Sequence, residues 1–197
     1  MNRSFLILGA NGQLGRQFTK ELQRRGVTVT APEEQECDIT SVDSLAAVMD
    51  AVTPSVVVNC AAYNAVDLAE QQQETAFRIN ATAVGTIARI CADRRMTLVH
   101  YSSDYVFDGA KGDRYTESDT PNPLNVYGQS KLSGEQEVLG SGVQALVFRT
   151  SWVFGNGQQN FIHKMLQWSR TNPVLRLTAD EVSVPTSTTD LVQYTFY

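Results

Sequence analysis

Residues 9–15 read GANGQLG and set Gly9, Gly12 and Gly15 three apart, directly after the apolar run SFLIL. A glycine turn placed between a buried strand and a polar helix opening (QLGRQFTKELQRRG) commits a chain to a βα unit whose turn has little room for side chains. Glycines at such a junction permit a tight turn, close helix-to-strand packing and close approach of a pyrophosphate to the backbone. The unbonded amides of the helix start face that negative charge.

The same rhythm continues downstream. Apolar runs at VTVTA, SVVVNC, TLVHYSS, ALVFRTSW and VLRLT alternate with segments of helical period. Near-continuous apolar strands belong to sheets covered on both faces, so the expected architecture is α/β, a doubly wound parallel sheet. Arg24 and Arg25 before Gly26 mark the end of the first helix. One long helix is expected from about Leu68 to Arg94, with Phe77, Val84, Ile87 and Ile90 toward the core. At 197 residues, a single domain over 1–197 is expected. A net charge of -5 and 19% charged residues give no basic groove for nucleic acid. Cys37, Cys60 and Cys91 are odd in number and lack a CxxC pair, so they read as buried thiols in a reducing compartment. No stretch reads as a membrane span or a secretory leader, and the chain is expected to be cytoplasmic.

The fourth strand ends on Ser102 and Ser103, at the sheet edge where ligands bind such folds. Tyr127 and Lys131 follow at i and i+4, on one face of a helix. A phenol is a weak acid at neutral pH, and a neighbouring ammonium favours its phenolate. Together the three residues suit proton exchange with a carbonyl or hydroxyl: Ser103 bonds the oxygen, Tyr127 carries the proton and Lys131 supports Tyr127 and a nicotinamide ribose. At the end of the second strand, Ala31 and Pro32 come where a carboxylate would select NAD, Glu33 and Glu34 come slightly later, and Arg16 could meet a 2′-phosphate. The choice between NAD(H) and NADP(H) stays open. Asp38 reads equally as an adenine contact and as a cap beside Thr40 and Ser41.

The stretches GANGQLG, NCAAYNAVDLAE, INATAV, YSSDYVFDG, PLNVYGQSK, FRTSWVFG and VPTSTTDL carry a resemblance to the extended short-chain dehydrogenase/reductases, in the branch of the dTDP-4-dehydrorhamnose reductases. The resemblance implies a Rossmann-like fold and reduction of the 4-keto group of dTDP-4-dehydro-6-deoxy-L-mannose by NADH or NADPH, giving dTDP-L-rhamnose for surface polysaccharide synthesis. It makes Ser103, Tyr127 and Lys131 catalytic. It places Asn11, Gln13 and Leu14 with the three glycines, Asp38 and Ile39, the stretch Cys60, Ala61, Ala62 and Tyr63, then Asn80 and Ser102, around the cofactor. Val66, Asp67, Ser103, Asp104, Arg149 and Trp152 would meet the dTDP-sugar, with Glu70 in the same segment as Asp67. It also allows a homodimer.

Sister families diverge at specific residues. Sugar-nucleotide dehydratases resemble this chain but carry an Asp-Glu pair where Asp104 and Tyr105 stand here, and epimerases lack the Asp-Tyr-Val-Phe pattern. A non-catalytic alternative, similar to the regulatory β subunit of methionine adenosyltransferase, shares the SSDYVFDG stretch. The chain also departs from the reductase pattern: DEVSVPT carries Glu181 and Ser183 in place of glutamine and glycine. Gln17 stands where a glutamate would bridge magnesium, so no metal is expected. Ending at Tyr197, the chain is expected to hold only the start of the smaller carboxyl-terminal substrate region.

Overall fold

The computed structural model describes residues 3–157, 160–176 and 182–196. Five parallel strands form the central sheet: β1 (Ser4–Leu8), β2 (Thr28–Thr30), β3 (Val56–Asn59), β4 (Thr97–Ser103) and β5 (Ala145–Thr150). Their order, β2-β1-β3-β4-β5, reverses direction between β1 and β3 and creates a crevice at the carboxyl ends of those strands.

The period-two alternation of β1 divides its side chains between two cores. Leu6 and Leu8 enter one cluster with Met49 of α2 (Val42–Val52), Ile87 of α5 (Ala83–Asp93) and Val138 of α6 (Val126–Gly140). Phe5 and Ile7 enter the other, with Phe18 and Leu22 of α1 (Gln13–Arg24) and Leu191 and Val192 of α8 (Thr188–Thr195). The doubly wound sheet expected from the strand runs is therefore present, with helices on both faces. Two boundary features agree as well: α1 ends at Arg24, and Gly26 has a positive φ of 68°.

The long helix expected over 68–94 is broken. α3 (Val66–Ala69) ends before the run Glu70–Gln71–Gln72, which offers no apolar side chain to bury, and the chain restarts at α4 (Gln73–Phe77). A π-helical turn, Arg78–Thr82, joins α4 to α5 and carries Asn80. The polar block interrupts the apolar stripe that helix continuation needs, and the π turn adds a residue without any compositional sign. The expected strand at VLRLT is not formed by Val174, Leu175 or Arg176; residues 177 and 178 lie outside the described residues.

After β5 the chain forms a small parallel pair, β6 (Val153–Phe154) with β7 (Thr186–Ser187), separated in sequence by α7 (Phe161–Thr171). α8 then returns beneath the sheet. Phe196 meets Phe5 and Phe18 edge-on at 6.0 and 6.1 Å, and the Tyr101 hydroxyl shares a 2.6 Å hydrogen bond with Thr195 Oγ1.

Candidate active site

Two clefts open at the carboxyl edge of the sheet. The first, about 330 Å³, lies over the switch point and is lined by the β1–α1 turn, the loop from Pro32 to Thr40 and the end of β3. Gly9 sits at φ +73°, and a Cβ there would stand 2.6 Å from the Ala61 amide nitrogen, so the turn closes only with glycine. Gly12 is the N-cap of α1 and no side chain caps that end. The first-turn amides of α1 therefore have no acceptor among the described residues.

Of the residues expected at a cofactor, Gly9, Asn11, Gly12, Asp38, Ile39, Cys60, Ala61 and Ala62 line this cleft. Gln13, Leu14 and Gly15 form the start of α1 behind it; the Gln13 side chain accepts a hydrogen bond from Asn160 Nδ2 at 3.0 Å. Asp38 serves both of its readings. It lines the cleft, and its Oδ1 accepts from the Thr40 amide and hydroxyl, which hold its carboxyl below the usual range. The cap of α2 is Ser41. Sequence reasoning missed Ala10, Pro32, Thr40, Asn64 and Ile79 as lining residues and left Glu34 unassigned. The signal for Glu34 was its place nineteen residues beyond Gly15, where a ribose-binding carboxylate stands in dinucleotide folds.

Cys37 and Cys91 are buried, as expected of ordinary thiols, whereas Cys60 is half-buried at the cleft wall. Burial raises all three thiols, Cys91 to about 12.

The second cleft, about 570 Å³, is lined by Asp104–Tyr105, Phe107–Gly109, Tyr115, Leu124–Asn125, Trp152 and Val182–Ser183. Of the residues expected to meet a sugar nucleotide, Asp104 and Trp152 line this cleft. Trp152 adopts φ +44°, is 36% exposed and packs edge-on against Phe161 at 4.5 Å.

Ser103 and Tyr127 lie between the clefts. Ser103 Oγ donates to Asp104 Oδ1 at 3.1 Å on the second cleft, while Tyr127 Oη donates to Asn64 Oδ1 at 3.5 Å on the first. Burial raises the Tyr127 phenol to about 12, and its hydrogen bond with Ser103 pulls the other way. The lowering expected from Lys131 is not expressed here. The Lys131 ammonium instead donates to the Tyr101 carbonyl at 2.6 Å, and burial pulls it down to about 8 against the opposing charge of Glu135. Partial burial raises the carboxyl of Asp104.

Several expected contacts have other duties. Asn80 spends its amide on protein: Oδ1 accepts from the Tyr63 amide at 2.9 Å, and Nδ2 donates to the Tyr63 carbonyl and to Ser130 Oγ, each at 3.0 Å. It therefore shapes the loop after β3 from behind, and neither Tyr63 nor Asn80 lines the first cleft. Ser102 is buried with its hydroxyl unpartnered among the described residues. Val66 packs beside Tyr127 in a small apolar cluster, while Asp67 is exposed, and neither lines a cleft. Glu70 Oε1 accepts from the Val126 amide at 2.8 Å, at the start of α6. Arg149 is engaged with Glu135 through Nε and Nη2 in a forked ion pair, with contacts of 2.6, 3.0 and 3.2 Å, and lines neither cleft. Glu181 lies outside the described residues; Ser183 donates to Asp104 Oδ2 at 3.1 Å.

A five-stranded parallel sheet with helices on both faces and a glycine-turn cleft at its switch point is the Rossmann-like arrangement of nicotinamide-dinucleotide folds. The family described as RmlD substrate binding domain matches residues 3–197, and the chain belongs to that family. It is 38% identical over 94% of its length to a dTDP-4-dehydrorhamnose reductase of Aggregatibacter actinomycetemcomitans, and 40% identical over 92% to one of Burkholderia thailandensis. The chain spans only 64% and 60% of the length of these two relatives. Among solved structures, the dTDP-4-dehydrorhamnose reductase of Clostridium acetobutylicum superposes with a TM-score of 0.94 at 38% identity, covering 98% of this chain and 69% of that one. The Bacillus anthracis enzyme, solved in complex with NADP, gives 0.95 at 33% identity, covering all of this chain and 70% of that one.

Proposed function

We propose that this chain is the cofactor-holding and proton-transferring part of a nicotinamide-dependent reductase of dTDP-4-dehydro-6-deoxy-L-mannose, an oxidoreductase of the CH–OH class. The observation that carries this reading is the position of Ser103 and Tyr127 between the two clefts, one hydroxyl bonded toward each.

The first cleft fits a dinucleotide. Its floor is backbone, its turn admits no side chain at Gly9, and the α1 amides are open to a pyrophosphate. When bound, the nicotinamide supplies the hydride. The chain's own residues do the rest: Ser103 bonds the 4-keto oxygen, Tyr127 delivers a proton to it, and Lys131, with donors left after its bond to Tyr101, holds the ribose hydroxyls. A phenol held near 12 is protonated at neutral pH, which suits a donor awaiting a developing alkoxide. Asp104 and Trp152 form the sugar side. Glu34 makes no hydrogen bond or ion pair among the described residues, whereas Arg16, the cation expected at a 2′-phosphate, donates to the Asn11 carbonyl at 2.6 Å and is not among the residues that line the cleft. This favours a ribose with a free 2′-hydroxyl, hence NADH over NADPH.

The test is consumption of NADH absorbance on adding the 4-keto dTDP-sugar to wild type and to Tyr127→Phe, with the chain alone and joined to the carboxyl-terminal part of a relative. Wild type should turn over and Tyr127→Phe should lose at least about a hundredfold in kcat while still binding NADH. Equal turnover by the two would remove Tyr127 from the reaction, and tighter binding of NADPH than NADH would reverse the cofactor assignment.

A further inference from the structure

α6 carries Tyr127, Lys131 and Glu135 at i, i+4 and i+8, so the three side chains share one face, and all three are buried. Only the first two have a role in the proposed reaction. Glu135 is 3% exposed, and a carboxylate there needs a reason. From β5, Arg149 clasps it with a forked pair, Nη2 to Oε2 at 2.6 Å and Nε to Oε1 at 3.0 Å. The Arg149 guanidinium in turn lies 4.8 Å from the centre of the Phe107 ring, in the wall of the sugar-side cleft.

A lone ammonium as deeply buried as that of Lys131 sheds its proton readily, and a neutral amine can neither favour a phenolate nor donate three hydrogen bonds. We propose that Glu135 is a positioning residue that keeps Lys131 protonated at neutral pH, with Arg149 holding the Glu135 carboxylate in place. The groups around Lys131 agree with this division. On α6 it has Tyr127 and Glu135. From β4 it meets the Tyr101 carbonyl and His100, whose buried ring is held neutral by desolvation and by the charge of Lys131 itself. From β5 comes Arg149, already matched by Glu135. Glu135 is thus the only anion acting on Lys131 among the described residues, and its pull opposes the burial that lowers the ammonium.

The purpose of the device rests on the reductase reading, but its test does not. Lysine labelled with carbon-13 at Cε reports the titration of Lys131 directly, the signal being assigned by its loss in Lys131→Met. In Glu135→Gln the midpoint should fall by about one pH unit or more. The alkaline limb of NADH binding should move down with it, which a purely structural residue would not cause. Should the stranded guanidinium prevent folding, Glu135→Gln combined with Arg149→Met removes both charges, an exchange of a buried ion pair that is often tolerated, and the midpoint should then fall by less than in Glu135→Gln alone, because the opposing charge of Arg149 goes with that of Glu135. An unchanged midpoint in either variant overturns the proposal. Collapse of both overturns it too, making the pair a support of the fold. Absence of NADH binding at every pH would instead defeat the reductase reading and leave the Lys131 midpoint to decide this one.

Discussion

Gly12 is the residue at which binding and folding separate most cleanly. A Cβ at Gly9 or Gly15 would strike backbone, whereas a Cβ at Gly12 meets only the Gly9 carbonyl oxygen, at 3.3 Å. Gly12→Val should therefore keep its thermal midpoint within a few degrees while intruding on the pyrophosphate path, and NADH fluorescence titration should show at least about tenfold weaker binding. Unchanged affinity would mean that the turn does not hold the cofactor. Lys131 gives a second prediction, through pH. Its folded value of about 8 lies below the ordinary 10.5, so between these the unfolded chain binds more protons and folding stability gains as pH rises. The cost of burying the ammonium is fully present below pH 8 and fades above it. Lys131→Met should escape that cost, standing more stable than wild type at pH 7 by up to about 3 kcal/mol, with the gap closing toward pH 10.5. Urea unfolding at the two pH values measures this, and a gap independent of pH refutes it. The shared helix face of Tyr127 and Lys131 was legible from their spacing, but the pairing of Arg149 was not. A cation at a strand end looks free until its partner, fourteen residues earlier on another element, is seen.

α6 is the element on which the site depends, and its start is tied down twice. The Asn125 side chain accepts from the Gly128 amide at 2.7 Å, and Glu70 reaches from the α3–α4 junction to the Val126 amide. Glu70→Ala should thus cost about 1 kcal/mol in urea unfolding through a lost helix-start hydrogen bond and a lost anion at the positive end of the helix. Glu70→Gln should recover most of the hydrogen bond and less of the charge. A normal stability with a raised KM for the sugar would return Glu70 to the segment near cofactor and substrate in which the family resemblance placed it. The sequence could not show this tie, because the break that frees Glu70 lies inside a segment read as one helix. The parallel strands were legible because burial on both faces leaves continuous apolar runs. The π turn of Asn80 was not, since it alters geometry and not composition.

Across the whole molecule, the two clefts differ in how completely this chain builds them. The cofactor side is closed in by three elements of the central sheet system, the β1–α1 turn, the loop after β2 and the end of β3, all anchored in the two main cores. The sugar side is larger and looser: Leu124 is 72% exposed at its rim, Val182 fully so, and α7 beside it has no buried residue. Affinity follows from surface desolvated in a preformed cleft and falls where the walls stay exposed. This chain by itself should therefore hold NADH at least about tenfold more tightly than it holds dTDP, the non-reacting part of the proposed substrate. Weak holding on that side also limits rate, because a ketone must be fixed against both the hydride donor and Tyr127, and lost positioning costs orders of magnitude. Calorimetric titration of the chain with each ligand decides the matter. If dTDP binds as tightly as NADH, the open rim of Leu124, Trp152 and Val182 is already a complete nucleotide site, and the weakness assigned to it here is wrong.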